Sequence, residues 1–170
     1  AYSRYVEGYI EIVAMHELVH HFLWRAGISP KTMLWFHEGM AQYVSIETID
    51  KLNYKGAEMM RQELEEAYIQ VKQTIGEKYG FLKQWSPSRQ PSDVWVYYVS
   101  AYYVVSRLAE TYSGLDYYAH FFKAINGEKV EDTTTITYYL SLSANESVAK
   151  TLNNWGFSIP DLYIFSPILV

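Results

Sequence analysis

The stretch Tyr5-Val6-Glu7-Gly8-Tyr9-Ile10-Glu11-Ile12-Val13-Ala14-Met15-His16-Glu17-Leu18-Val19-His20-His21-Phe22-Leu23-Trp24 reads as a single helix. Ile12, Met15, Val19 and Phe22 recur at helical spacing on one stripe, and Ile10, Ala14 and Leu18 on another. Apolar residues run almost all the way round, the pattern of a helix buried between neighbours, so each polar residue inside it needs a partner or a task. Gly27 ends the helix, and Ser29-Pro30 supplies a turn and the start signal of the next one.

The polar residues at its centre are His16-Glu17-Leu18-Val19-His20, the pattern HExxH. Two histidines four apart share one helical face, so both imidazoles can reach one metal ion. Glu17 sits at the edge of that face, where it can touch a water held by the metal. Zinc takes neutral nitrogen or carboxylate ligands, and a catalytic site keeps three protein ligands and one open position. The plain alternative is a pair of core histidines with satisfied hydrogen bonds.

Outward from this helix, the spacing predicts helices over Met33 to Ile49, Tyr54 to Lys78, Val94 to Thr111, Leu115 to Ile125 and Ala144 to Trp155. Arg61-Gln62-Glu63-Leu64-Glu65-Glu66 reads as a solvated face, and Gly80 to Asp93, with Pro87 and Pro91, as a loop. Asp132 to Leu142 is ambiguous, because its Thr and Tyr favour strand while its neighbours favour helix. Ser143 and Glu146 are spaced as a capping box for the last helix. The expectation is one mainly α domain over residues 1–170, with no internal repeat.

Bulk composition narrows the function. The net charge of -5 is spread along the chain, without the basic stripe a nucleic-acid partner requires. There is no cysteine, which excludes a disulfide framework, a thiolate metal site and a cysteine nucleophile. Seventeen Tyr, a Thr/Ser/Asn-rich C-terminal third and the sequon Asn145-Glu146-Ser147 lean towards an extracellular or cell-surface setting. No apolar run approaches the ~20 residues of a membrane span, and the stretch Leu162 to Val170 is apolar apart from Ser166. Both ends look cut, and a longer parent protein is expected.

Downstream lies Trp35-Phe36-His37-Glu38-Gly39-Met40-Ala41-Gln42-Tyr43, a carboxylate set in an apolar segment. Burying it unpaired would be costly, and a metal ion answers that cost. A helix folding back after a short turn would bring Glu38 alongside His16 and His20. HExxH followed closely by this W-x-x-E-G-x-A-x-Y segment resembles the gluzincins, the thermolysin and aminopeptidase N-like superfamily of zinc metallopeptidases. The resemblance implies that His16, His20 and Glu38 are the zinc ligands and Glu17 the general base. It departs from the best-known aminopeptidases in a slightly shorter connection, seventeen residues between His20 and Glu38, and in His37, where those enzymes usually carry Asn.

Attack on a carbonyl also requires a donor for the developing oxyanion. In the resembling aminopeptidases this is a Tyr on a later helix, in a segment similar to Val96-Tyr97-Tyr98-Val99-Ser100-Ala101-Tyr102-Tyr103-Val104-Val105. The match points to Tyr98, with Tyr97 and Tyr102 as reserves; Tyr on an apolar helix is otherwise core. Asn154-Trp155-Gly156-Phe157 is similar to a Trp-Gly turn that closes a late helix in related families. His21 and His120 fit packing or surface positions.

The expected function is zinc-dependent hydrolysis of a peptide or protein substrate. Gluzincins hold substrate against the edge strand of a sheet that precedes the HExxH helix, and no such sheet is expected in this chain, so the resemblance implies an N-terminal portion of the same parent, or another chain, as partner. Two other readings stand beside it. One is a helical binding module of a surface assembly with a structural or relic zinc site, closed by a fourth ligand such as His37. The other is a metal-free helical protein.

Overall fold

The structure is a computed structural model and describes residues 7–160. The expected helix start at Tyr5 and the apolar stretch Leu162 to Val170 lie outside the described residues. Among the described residues seven α-helices follow one another: α1 (Tyr9–Arg25), α2 (Leu34–Lys51), α3 (Lys55–Ile75), α4 (Val94–Tyr112), α5 (Leu115–Ile125), α6 (Thr133–Ala144) and α7 (Ala149–Asn154). Among the described residues there is no strand, only isolated bridges such as Ile28 with Val130. The domain is mainly α, as the sequence predicts.

The middle of the bundle is α2, packed between α1 and α4. Trp35, Phe36, Met40, Ala41, Ile46 and Ile49 are all buried, so this helix carries core on most of its circumference. The turn after α1 is held by Ile28: the Ser29 amide donates to Val130 O at 3.0 Å, and the Val130 amide to Gly27 O at 2.9 Å. This reverses the chain, so that His20 meets His37 at one end of the pair while Gly8 meets Ile49 at the other. α1 and α2 are therefore antiparallel. α1 opens after Gly8, whose left-handed backbone (φ 94°) and close approach to the Tyr54 side chain leave no room for a Cβ.

One expectation is corrected on α1. Ile12, Val19 and Leu23 face the core, but Ile10, Phe22 and Trp24 are 73, 62 and 66% exposed, and Val13 and Leu18 are also exposed. The helix is buried on one side, not all round.

The ambiguous stretch is helical. Asp132 caps α6 by accepting from the Thr135 amide and hydroxyl, both at 2.8 Å. The Thr137 and Ser141 hydroxyls donate to carbonyls four residues back, so the polar groups that suggested a strand are satisfied inside the helix. Burial of Ile136 and Leu140 outweighs the β preference. A further correction concerns Ser143 and Glu146. α6 runs through Ser143, Asn145 ends it in the left-handed conformation, and Glu146 accepts a hydrogen bond from Tyr112 instead of capping a helix. α7 is short and begins after Val148, whose amide donates to Ser141 Oγ. The loop over residues 80–93 contains a 3₁₀ turn, Gly80–Gln84, that seats Leu82 in the core.

Gly39 explains why glycine follows Glu38. A Cβ there would lie 2.5 Å from Ala101 O and 2.7 Å from Val105 Cγ2 of α4. The absent side chain lets α2 and α4 approach closely, which sets the depth at which Glu38 sits. Gly39→Ala is expected to destabilise the fold by about 1–3 kcal/mol through overpacking, a loss that denaturant unfolding would measure.

Candidate metal centre

Each side chain of the centre comes from the antiparallel pair. His16 and His20 are one turn apart on α1 and point at α2, and Glu38 lies in the first turn and a half of α2, facing them. His16 Nε2 and His20 Nε2 are 3.2 Å apart, and Glu38 Oε2 lies 3.3 Å from the first and 3.5 Å from the second. Ligand atoms bound to zinc at ~2.0–2.1 Å with tetrahedral angles stand roughly 3.3–3.4 Å from one another. The three separations match that triangle. Among the described residues these three form the group of His and acidic side chains able to hold a metal ion.

The protonation pattern points the same way. His37 is buried, and its Nε2 donates to Ile28 O at 3.0 Å, because a carbonyl can only accept. Burial holds its pKa below the usual histidine value despite that hydrogen bond, so the ring is neutral and its Nδ1 carries a lone pair. His20 Nδ1 lies 3.4 Å from it, within reach of that lone pair, and His20 Nε2 faces His16 and Glu38. Burial acts to raise the Glu38 carboxyl, but the His16 and His20 contacts outweigh it and bring its pKa down to about 2, so the carboxylate is ionised at neutral pH. Two imidazole nitrogens and an ionised carboxylate converging on one point call for a cation or a shared proton. The donor set fits zinc, which takes imidazole nitrogen and carboxylate oxygen together. His37 is not a fourth ligand, since its two nitrogens are turned to Ile28 and His20. It meets His20 at Nδ1, the place that outer partners occupy on metal-ligating histidines.

The remaining candidates separate by position. Glu17, the next residue of α1, is exposed beside the centre. Tyr98 is half-buried on α4 and lines one cavity with His16. Its phenol pKa is raised by burial first and then by the charges of Glu38 and Glu17. Tyr97 packs instead on Phe81 and Trp85. Tyr102 lines a separate hollow with Tyr43, Glu47 and Arg61, where Arg61 already pairs with Glu47 at 2.8 Å. Of the three tyrosines, Tyr98 alone shares a cavity with a residue of the triad. His120 is exposed on α5, and His21 lines an open hollow of about 440 Å³ beside His20.

Sequence reasoning passed over Gln42 and Trp95, which line the cavity on the His16 side. Gln42 lies one turn beyond Glu38 on the same face of α2, a spacing that could have marked it. Trp95 carries no such signal, since its place depends on how α4 crosses the pair.

No family model, curated protein or solved structure matches the chain.

If His37 orients His20, His37→Leu should weaken zinc binding by about 10–100-fold, read by competition with a chromophoric chelator. His37→Gln, able to offer both an acceptor and a donor, should recover part of the loss.

Proposed function

We propose that this chain is the catalytic part of a zinc metallopeptidase, with His16, His20 and Glu38 as ligands, Glu17 as general base and Tyr98 as oxyanion donor. The observation that carries this reading is the triangle of His16 Nε2, His20 Nε2 and Glu38 Oε2, with sides of 3.2, 3.3 and 3.5 Å, the size of a tetrahedral zinc face. The HExxH and E-G-x-A segments that supply it are those of the gluzincins.

Zinc bound there would supply a Lewis acid for a peptide carbonyl and lower the pKa of a water towards ~7. The residues of the chain do the rest. Glu17, exposed beside the triad, takes a proton from the attacking water as its oxygen bonds to the scissile carbon, and returns it to the amine as the carbon–nitrogen bond breaks. The raised pKa of Tyr98 keeps its phenol protonated, so it can donate to the carbonyl oxygen as negative charge develops there.

The exposed apolar residues of α1, Ile10, Leu18, Phe22 and Trp24, support a second part of this reading: that a further portion of the parent protein, or another chain, covers this helix and holds the peptide extended. No helix among the described residues is long and apolar enough to cross a membrane. The sequon residue Asn145 is exposed at the turn between α6 and α7, in keeping with an extracellular or cell-surface protein.

Elemental analysis of the purified chain should find about one zinc per chain, lost in the His16→Ala, His20→Ala double variant. Absence of zinc from the unaltered chain after incubation with the metal would sink the reading. Peptide cleavage should disappear in Glu17→Gln with zinc retained. Tyr98→Phe should lower turnover by about 10²–10³ without metal loss, whereas Tyr97→Phe and Tyr102→Phe should cost far less.

A further inference from the structure

Where α2, α3 and α4 meet there is a second hollow, of about 230 Å³, that contains no residue of the metal triad. Tyr43 and Tyr102 line it, together with the buried apolar side chains of Leu64 and Ala109. The two tyrosines are only 6 and 8% exposed. Buried phenols ordinarily find a partner, as those of Tyr117 and Tyr118 do by donating to backbone carbonyls at 3.0 and 2.7 Å. Tyr43 and Tyr102 make no such bond among the described residues, and burial, not a hydrogen bond, is the main cause that raises both phenols, Tyr102 to about 12. The Tyr43 oxygen stands beside Gly114, another residue of the lining, where an added Cβ would lie 3.7 Å from it.

The charge around these phenols is negative in balance. Glu47, Glu65 and Glu110 line the hollow against Arg61 and Arg107. Both guanidinium groups are already engaged: Arg61 pairs with Glu47 at 2.8 Å and Asp50 at 3.4 Å, and Arg107 pairs with Glu110 and lies 5.0 Å over the Tyr103 ring. Glu65, exposed at the rim, has no ion-pair partner among the described residues. An anionic ligand would have to displace a carboxylate from its arginine and then face the others.

We infer that this hollow is a binding site for a small primary alkylammonium ion, held by the Tyr43 and Tyr102 oxygens and the Glu65 carboxylate. An ammonium brings three N–H donors and no acceptor, and phenol and carboxylate oxygens supply what it lacks. Its alkyl chain releases water against Leu64 and Ala109, and tyrosine rings favour a cation over their faces. The volume lies below the roughly 300–1,000 Å³ of pockets for drug-sized ligands, which suits a small free amine. The site is independent of the metallopeptidase reading.

The test is calorimetric titration of butylammonium chloride into the full chain at constant ionic strength. It should bind saturably, and at least about tenfold more tightly than sodium butyrate, 1-butanol or tetramethylammonium, which lack the charge or the N–H donors. Tyr43→Phe and Tyr102→Phe, each removing one oxygen, should weaken binding about fivefold, and Glu65→Gln about tenfold. Glu65 is exposed, so its variant keeps the fold and stays readable even if a tyrosine variant does not. The His16→Ala, His20→Ala double variant should bind butylammonium as the unaltered chain does, and a lysine tripeptide blocked at both ends should bind more weakly. Absence of saturable binding, butyrate binding as tight as butylammonium, or affinity that Glu65→Gln and both tyrosine variants leave unchanged would overturn the site. Loss of binding in the double variant would place the amine at the metal centre instead, and tighter binding of the tripeptide would overturn a small free amine as the ligand.

Discussion

The carboxylate of Glu38 is held on a buried helix between two imidazoles, and the arrangement of α1, α2 and α4 follows from accommodating it. A charge in that position needs compensation within hydrogen-bond reach. The compensation comes from His16 and His20 across the antiparallel pair, close enough to bring the Glu38 pKa down to about 2. The pairing itself depends on two features remote from the charge: the bridge of Ile28 to Val130 that turns the chain, and the bare Gly39 face that lets α4 close against α2. Loosening either would move the carboxylate relative to the rings.

The same geometry connects the centre to the rest of the domain. His37 ties His20 to the turn through Ile28 O, so the ring orientation on α1 is set by a loop that is itself pinned to residue 130. On the other side, Tyr98 of α4 shares a cavity with His16, and α3 closes that cavity with Met60 and Leu64. Residues of four helices therefore line the cavity beside His16.

The outer surface of α1 stands in contrast. Ile10, Phe22 and Trp24 lie in solvent on the helix that carries the histidines. Exposed apolar residues gathered on one helix are the kind of surface that an interaction partner covers.

Much of the fold could be read from residue order alone. Five of the expected helices lie within a few residues of their observed limits, because apolar spacing and the Gly and Pro signals act locally. The HExxH spacing determined that two imidazoles share a face of α1, and the lone carboxylate in an apolar run marked Glu38, since both are properties of one helix at a time. Tertiary structure decided the rest. It made a helix of residues 133–144, where burial of Ile136 and Leu140 outweighed strand propensity, and it exposed half of α1, which periodicity had assigned to the core. It also separated Tyr98 from Tyr97 and Tyr102 and brought Gln42 and Trp95 to the cavity beside His16. Which face of a helix meets which neighbour depends on crossing angles and turn lengths summed over the whole chain, and no local pattern carries that sum.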